Sequence, residues 1–328
     1  MDRLLAALRA AAEPTRLRLL ALAARGAFCV SELTDILGQS QPRLSRHLKL
    51  LCDAGLLERV REGANVWFAV AMGEEGALSR HLIARLPGGD PVLEADRRQA
   101  ARVLAERARV ASESFRRQGA DWDEMRALGL PAAAVEAALL ALLPAAEVGN
   151  GRLLDIGTGT GRVLELLGPR VREGLGVDAS KAMLALARAR LARAEAPHCA
   201  VRLGDMYRLP LTDAGFDLAV MQMVLHYAED PEGVLIEAAR VLRPGGRLIV
   251  IDLARHDRQD LAARLAHRWP GFEDTAMRRM LAAAGLLPGA AVAIAGEAAV
   301  QVRLWPGTRI AGARASRTGD LATQELAI

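Results

Sequence analysis

A glycine-rich turn behind an apolar segment constrains the fold of this chain more strongly than any other feature. Residues 153–161 read LLDIGTGTG, and a helical pattern follows from Arg162 to Leu167. Gly157 and Gly159 permit a positive φ and a close approach of the backbone to a ligand. The helix behind them presents free N–H groups at its N-terminus. The pattern predicts a strand, a tight turn and a helix that together form one side of a nucleotide site.

A carboxylate at a suitable spacing completes this pattern. Asp178 ends a second apolar segment, residues 175–177, and follows Gly157 by about 20 residues. At the end of a neighbouring strand, such a carboxylate can accept hydrogen bonds from both ribose hydroxyls. A glycine-rich turn alone is a weak signal, but the turn, the helix and the carboxylate together predict an adenosine-type ligand.

The segment 155–161 resembles motif I of class I S-adenosylmethionine-dependent methyltransferases rather than a dehydrogenase fingerprint. Four later segments follow that family in the same order: GDM at 204–206, FDLAV at 216–220, LHYAEDP at 225–231 and LRPGGRLIV at 242–250. In the family, the first of these holds the adenine, and the others form strand four, the loop after it and the turn into strand five.

The resemblance implies that the ligand is S-adenosylmethionine or S-adenosylhomocysteine. The residues expected to bind it are Asp155, Gly157, Thr158, Gly159, Gly161, Asp178, Ala179, Met183, Asp205, Met206, Gln222 and His226. Methyl transfer from a sulfonium needs only alignment of the acceptor and, where required, removal of its proton. His226 and His256 are possible bases, although a hydrogen-bonded structural or ligand-orienting role is the more common one for such histidines, and no sequence feature identifies the acceptor.

The N-terminal part of the chain has the pattern of several short helices followed by a hairpin. We expect Pro14 to open one helix, Ser31 to cap another that stops at Gly38, and a third to run from Pro42 to Ala54. Two short helices joined by a tight turn are typical of a helix-turn-helix. The segments 56–60 and 66–70 flank turn-forming residues and predict a β-hairpin, the wing.

The helix that begins near Pro42 carries polar side chains of the types that contact DNA. Leu44, Leu48 and Leu51 recur at helical spacing and predict a buried face. Polar side chains of the types that reach base edges and phosphates occupy its other faces, although a solvated helix would look the same. These polar residues are Gln41, Arg43, Ser45, Arg46 and Lys49.

A second resemblance favours DNA over mere solvent exposure. The segments EPTRLRLL at 13–20, LSRHLKLL at 44–51, AGLL at 54–57 and REG at 61–63 resemble the ArsR family of winged-helix repressors. The family implies a homodimer that binds an inverted-repeat operator in double-stranded DNA. The implied DNA-binding residues are Gln41, Arg43, Ser45, Arg46, His47, Lys49 and Arg61.

Many ArsR proteins sense metals through a cysteine pair, which this chain lacks. The matching stretch 28–33 reads FCVSEL, so Cys29 has Ser31 where the second thiol would be. One thiol cannot form the multi-thiolate site that soft metals prefer. We therefore predict no metal site and expect Cys29 to be a small buried apolar residue. The absence of a CxxC motif suits a reducing cytoplasm.

Length and composition fit two domains. The chain has 328 residues, of which 52% are hydrophobic, and its net charge of +4 permits nucleic-acid binding without predicting it. We predict an α/β chain with a winged helix-turn-helix DNA-binding domain at 1–90 and a helical linker and pocket lid at 91–145. A doubly wound, Rossmann-like methyltransferase domain follows at 146–310, and a disordered tail at 311–328. No apolar run is long enough to predict a membrane span.

The sequence leaves two functions open. In the first, the methyltransferase fold is an effector domain that binds S-adenosylmethionine or S-adenosylhomocysteine and sets the DNA affinity of a repressor. In the second, it is a working small-molecule methyltransferase with an attached winged helix. The cofactor motifs suit both, but the DNA-reading residues are present and no acceptor site can be named, which favours the regulator.

Overall fold

A computed structural model describes residues 1–62, 65–71, 76–117, 130–144, 148–196, 198–258, 267–294 and 300–312. It has the predicted α/β fold and forms two compact units. One unit comprises residues 1–114 with 185–200, and the other comprises residues 115–184 with 201–328. Within the described ranges, no helix combines the length and apolarity needed to cross a membrane.

The N-terminal elements form a helix-turn-helix followed by a hairpin. The helices are α1 (Asp2–Ala11), α2 (Pro14–Ala23), α3 (Val30–Leu37), α4 (Gln41–Asp53), α5 (Ala77–Ala84) and α6 (Pro91–Arg117), and the strands are β1 (Phe28–Cys29), β2 (Glu58–Glu62) and β3 (Asn65–Ala69). The hairpin of β2 and β3 is the predicted wing, whose tip at 63–64 lies outside the described residues. Strand β1, which the sequence did not predict, pairs antiparallel with β3.

Apolar side chains at helical spacing hold α3 and α4 together. Leu44, Leu48 and Leu51 of α4 are almost fully buried in one core with Leu33 and Ile36 of α3. Burying each side chain of this size contributes roughly 1.5–3 kcal/mol. The buried face of α4 was therefore predicted correctly, and its position forces the opposite face toward solvent.

The start of α3 differs from the prediction. The helix begins at Val30 with Cys29 as its N-cap, so Ser31 lies in the first turn instead of capping it. The reason is Glu32, whose Oε2 accepts the backbone N–H of Cys29 at 2.9 Å, as in a capping box. Cys29 is half-buried rather than buried, and its Sγ lies 3.1 Å from Oγ of Ser31.

The long helix α6 packs on the winged-helix core. Ala100 and Leu104 join the same buried cluster as α3 and α4. At its start, Oδ1 of Asp90 accepts the N–H groups of Val92 and Leu93 at 2.9 and 3.0 Å. Residues 91–114 of α6 therefore belong to the first unit.

The C-terminal elements form an eight-stranded sheet. Its strands are β4 (Arg152–Ile156), β5 (Glu173–Asp178), β6 (Cys199–Leu203), β7 (Phe216–Gln222), β8 (Leu242–Leu253), β9 (Leu286–Pro288), β10 (Val292–Ala293) and β11 (Val302–Arg309). The helices between them are α7 (Ala132–Leu142), α8 (Arg162–Leu167), α9 (Lys181–Arg193), α10 (Pro231–Val241) and α11 (Asp274–Ala283).

The strand order reverses beside β4. The order is β10-β11-β8-β7-β4-β5-β6, and β9 also pairs with β11. Strands β5, β4, β7 and β8 are parallel, whereas β11 is antiparallel to β8. The chain therefore proceeds outward from β4 in both directions, which makes the gap between β4 and β7 a switch point. The expected pocket lid and disordered tail fall largely on 118–129 and 313–328, outside the described residues.

Candidate nucleotide site and DNA-reading helix

The glycine turn is fixed to the end of the neighbouring strand. The N–H groups of Gly157 and Thr158 both donate to the carbonyl oxygen of Val177, at 2.7 and 3.0 Å. Gly157 and Gly161 have φ values of +72° and +80°, which other residues rarely adopt. A Cβ at Gly157 would also lie 2.3 Å from Cγ2 of Val224, in the loop after β7. The turn therefore requires glycine at position 157 for two independent reasons.

Asp178 reaches the glycine turn directly. Its Oδ2 accepts the N–H of Gly159 at 2.8 Å, and its Oδ1 accepts the N–H of Ser180 at 2.8 Å. Burial raises the pKa of Asp178, and the N–H donors of Ser180 and Gly159 oppose that rise. Each carboxylate oxygen can accept a second hydrogen bond, so this geometry leaves acceptor capacity for two hydroxyl groups.

Asp155 lies beneath the same turn. It is 1% exposed, and its Oδ2 accepts the hydroxyl of Thr158 at 2.6 Å. Burial raises the pKa of Asp155 to about 7; the Thr158 hydrogen bond opposes this rise and the charge of Asp178 adds to it. Gly176 makes room for the hydroxyl, because a Cβ there would lie 2.6 Å from Oγ1 of Thr158. Asp155 is thus a carboxyl group that can change its charge near neutral pH.

The remaining predicted ligand residues lie at the ends of β5, β6 and β7. The N–H of Gly204 donates to the carbonyl oxygen of Asp178 at 3.0 Å, which keeps the segment after β6 beside the end of β5. Gln222 ends β7 one residue beyond Met221, which pairs with Ile156 of β4. Asp205 and Ala179 are exposed, and Met183, Met206 and Gln222 are half-buried.

His226 is the deepest of the predicted residues. It lies in a single 3₁₀ turn, Leu225–Tyr227, and is fully buried. Its Nδ1 is 2.6 Å from Oδ1 of Asp252, which is also fully buried near the end of β8. The other histidine considered as a base, His256, accepts the N–H of Arg258 on Nδ1 at 3.2 Å, and burial lowers its pKa.

The exposed face of α4 carries the predicted DNA-reading side chains. Gln41, Arg43, Ser45, Arg46 and Lys49 are all exposed, and Arg61 is exposed on the wing strand β2. Lys49 is within 2.5 Å of Asp53 one turn later.

His47 differs from the other residues of this face. Its side chain is only 16% exposed, and its Nδ1 lies 3.7 Å from Oε2 of Glu13. His47 is therefore set apart from the exposed group, and the other five predicted residues of this helix are exposed.

Comparison with protein families identifies both parts of the chain. Residues 13–59 match the bacterial regulatory protein, arsR family, and residues 154–250 match a methyltransferase domain. The chain joins an ArsR-family helix-turn-helix domain to a methyltransferase domain. The ArsR match ends at the start of the wing, and the methyltransferase match runs from β4 into β8.

Relatives match only part of the chain. A 37.1 kDa uncharacterised protein in transposon TN4556 of Streptomyces fradiae is 42% identical over 100 residues, covering 30% of this chain and 28% of that protein. An uncharacterised methyltransferase of Schizosaccharomyces pombe is 36% identical over 103 residues, which cover 29% of this chain and 37% of that protein. Demethylmenaquinone methyltransferase of Tropheryma whipplei is 36% identical over 110 residues, which cover 34% of this chain and 44% of that protein. The chain thus spans less than half the length of these relatives.

Asp252, His267 and Trp269 contact His226, and none of the three was predicted from the sequence. Asp252 stands in the apolar segment LIVIDL at 248–253, and this isolated charge in a central strand was an available signal. His267 and Trp269 gave no comparable signal, because a long stretch of chain separates them from β7. Within the part of the chain that the structure describes, no group of three or more His, Cys, Asp or Glu side chains could hold a metal ion.

Proposed function

We propose that this chain is a DNA-binding transcriptional repressor whose methyltransferase-fold domain binds S-adenosylmethionine or S-adenosylhomocysteine as its effector. The observation that carries the proposal is the presence of two sites in one chain. One is an ArsR helix on which five predicted DNA-contacting side chains are exposed, and the other is a glycine turn bridged by Asp178. The repressor acts as a homodimer on an inverted-repeat operator, because two symmetric helices then read two half-sites.

The ligand half of the proposal is supported by the chemistry around Asp178. Its two oxygens retain acceptor capacity for the ribose hydroxyls of an adenosine, and the turn at Gly157 and Gly159 leaves space for the backbone to approach the ligand. Asp205 and Met206 follow β6 at the edge where the adenine would lie. The residues fit the cofactor, and the domain match to methyltransferases agrees with that fit.

A sensor of the methylation cycle has to distinguish two ligands that differ by one methyl group and one positive charge at sulfur. Asp155, Met221, Gln222 and His226 are the candidates for this discrimination, because they lie at the ends of β4 and β7. An ionised Asp155 favours the cationic ligand, whereas a protonated Asp155 does not. The helix α6 runs from the ArsR core directly into the segment proposed as the lid, so we propose it as the route of the signal.

The proposal is tested by titrating operator binding with each ligand at fixed salt concentration. We expect one of the two ligands to change operator affinity by at least about fivefold, the lower end of typical allosteric coupling. Asp178→Ala should abolish that response, because it removes the acceptor for the ribose hydroxyls. Calorimetry should find ligand binding weakened at least about tenfold, on the order of 1.4 kcal/mol. Asp213→Ala is the matched control, since that carboxylate is 73% exposed and pairs with Arg240.

Two results would contradict the proposal. The first is operator binding that neither ligand alters although calorimetry detects both. The second is ligand affinity in a folded Asp178→Ala variant that equals that of the wild type, which would remove Asp178 from the site.

A further inference from the structure

Helix α9, which follows the strand ending at Asp178, is divided between the two compact units. It begins at Lys181 in the second unit, but residues 185–200 belong to the first unit, together with the ArsR elements. Ala192 of α9 packs against the buried cluster that also contains residues of α3, α4 and α6. A single helix is therefore shared between the unit that contains the glycine turn and the unit that contains α4.

Within the first unit, Arg188 of α9 contacts Trp67 of the wing strand β3. The guanidinium carbon of Arg188 lies 4.5 Å from the centroid of the Trp67 ring, and that of Arg107 in α6 lies 4.6 Å from it. Arg188 and Trp67 are only 5% and 8% exposed. A guanidinium within about 6 Å of an indole ring is attracted to it, and the attraction is stronger where water is excluded. Helices α6 and α9 thus both hold the same aromatic ring.

Trp67 lies in the central strand of the three-stranded sheet of the first unit. It pairs with Val60 of β2 and with Cys29 of β1. Val60 precedes Arg61, the predicted DNA contact on the wing, and Cys29 is the N-cap of α3. Because backbone hydrogen bonds join the three strands, a displacement of Trp67 affects the wing and the start of α3 together.

The other end of α9 is attached to the carboxylate that we propose binds the ribose. Oδ1 of Asp178 accepts the N–H of Ser180 at 2.8 Å, and Oγ of Ser180 accepts the N–H of Met183, in the first turn of α9, at 3.3 Å. From Lys181 to Arg188 an α-helix rises about 10 Å. About two helical turns therefore separate the end attached to Asp178 from the residue that contacts Trp67.

We propose that α9 transmits effector binding to the wing, and that the contact between Arg188 and Trp67 is the point of transmission. The inference rests on the effector role proposed above. Ribose hydroxyls bound to Asp178 change the hydrogen bonding of the carboxylate that holds Ser180. The first turn of α9 then adjusts, and Arg188 moves relative to Trp67. Since Arg107 holds the same ring, the route proposed through α6 ends at the same side chain.

A stacked guanidinium suits this role better than an apolar side chain. Its attraction depends on where the charge lies over the ring, so a small shift of the helix changes the energy of the contact. The hydrophobic effect is non-directional, so an apolar residue at position 188 would fill the space without responding to a small shift. Replacing Arg188 by methionine therefore removes the transmission and keeps an unbranched side chain of similar length.

The first test compares ligand-dependent operator binding in full-length variants, with S-adenosylmethionine and S-adenosylhomocysteine as the probes. In Arg188→Met, the effect of the ligand on operator affinity should fall from at least about fivefold to less than about twofold. Operator affinity without ligand and ligand affinity without DNA should each stay within about twofold of wild type, because Arg188 belongs to neither predicted site. Arg193→Met is the matched control and should keep the full response, because Arg193 is exposed near the end of the same helix.

The second test observes Trp67 in the wild-type sequence, so it does not depend on the folding of a variant at position 188. The chain contains four tryptophans, and fluorotryptophan incorporation allows each to be followed by fluorine NMR. The resonance of Trp67 is the one that Trp67→Phe removes. Saturation with the ligand that alters operator affinity should shift this resonance. Trp305 is the internal control and its resonance should not shift, because its indole N–H is held by Asp274 at 2.8 Å.

The outcomes separate this inference from the proposed function. Full ligand-dependent operator binding in a folded Arg188→Met variant would overturn the inference alone, and so would a Trp67 resonance that does not move at ligand saturation. A loss of ligand or operator affinity in Arg188→Met as large as the loss of coupling would indicate a purely structural role and would also overturn it. Operator binding by the wild type that neither ligand alters would overturn the inference and the effector role together.

Discussion

At the scale of single residues, Asp155 shows how burial gives a carboxyl group a new role. The sequence marks it only as the residue before a glycine turn. In the structure, Asp155 is buried and accepts a hydrogen bond from the hydroxyl of Thr158, and the burial disfavours its charged form. Its pKa of about 7 makes it a residue whose charge depends on pH in the range where the protein works.

The first prediction concerns stability and pH. Because the folded state holds a proton on Asp155 that the unfolded chain releases near the ordinary pKa of 3.8, its contribution to stability is complete below that value. The contribution is lost as the pH rises to about 7. Thermal melts should therefore show the wild type losing stability relative to Asp155→Asn across this window, and no further change above it.

The wild type and the variant share all other titrating groups. The contribution of those groups therefore cancels when the stability of one protein is subtracted from that of the other at each pH. If the difference in melting temperature between the two proteins stays constant from acid to neutral pH, the pKa of Asp155 is not raised and the residue cannot act as a charge switch. A similar series for Asp213→Asn serves as the control, because that side chain is exposed.

At the scale of elements, α4 and α6 have different roles in the N-terminal unit: α4 exposes a polar face, and α6 packs on the other helices. Helix α4 buries three leucines and presents its polar face outward, whereas α6 attaches to the helices behind it through charged pairs. Arg18 donates two 2.7 Å hydrogen bonds to Asp96, and Arg107 lies 2.6 Å from Glu32.

The second prediction belongs to α4. Arg46→Ala and Lys49→Ala should each weaken operator binding, and a residue that contacts phosphate should also reduce the slope of log affinity against log salt by about 1. Arg172→Ala, an exposed arginine between α8 and β5, is the matched control. Gel-shift titrations at several salt concentrations measure both quantities. Unchanged binding in both variants would show that α4 does not read DNA.

The third prediction belongs to α6. Arg107 and Glu32 are only 12% and 17% exposed, and Glu32 also caps α3, so Arg107→Ala should destabilise the ArsR domain by roughly 2–4 kcal/mol. Arg109 is the internal control, because it pairs with Glu106 at 55% and 59% exposure and its removal should cost less than about 1 kcal/mol. Denaturant unfolding of the two variants measures the difference, and equal losses would contradict it.

At the scale of the whole molecule, the proposed regulator obeys a thermodynamic symmetry. If a ligand changes operator affinity by a given factor, operator DNA must change the affinity for that ligand by the same factor. We predict that calorimetry with and without operator DNA gives the factor found in DNA titrations, at least about fivefold. Unequal factors at equilibrium would mean that the two measurements do not report one coupled pair of sites.

Much of this organisation follows from the sequence because it depends on neighbouring residues. The turn at 157–161, the buried face of α4 and the cap of α6 at Asp90 are set by local backbone preferences and by helical spacing. The start of α3 was misplaced because two competing caps, Cys29 with Glu32 and Ser31, lie within one turn.

The remaining features were decided by tertiary structure, because they join parts of the chain that are far apart in sequence. Asp178 reaches Gly159 only because β5 lies beside β4, and His226 meets Asp252 only because β7 lies beside β8. Trp269 joins them through a loop that no periodic pattern predicts. Local sequence determines which residues can do chemistry, whereas strand order, set by the burial of both sheet faces, determines which of them meet.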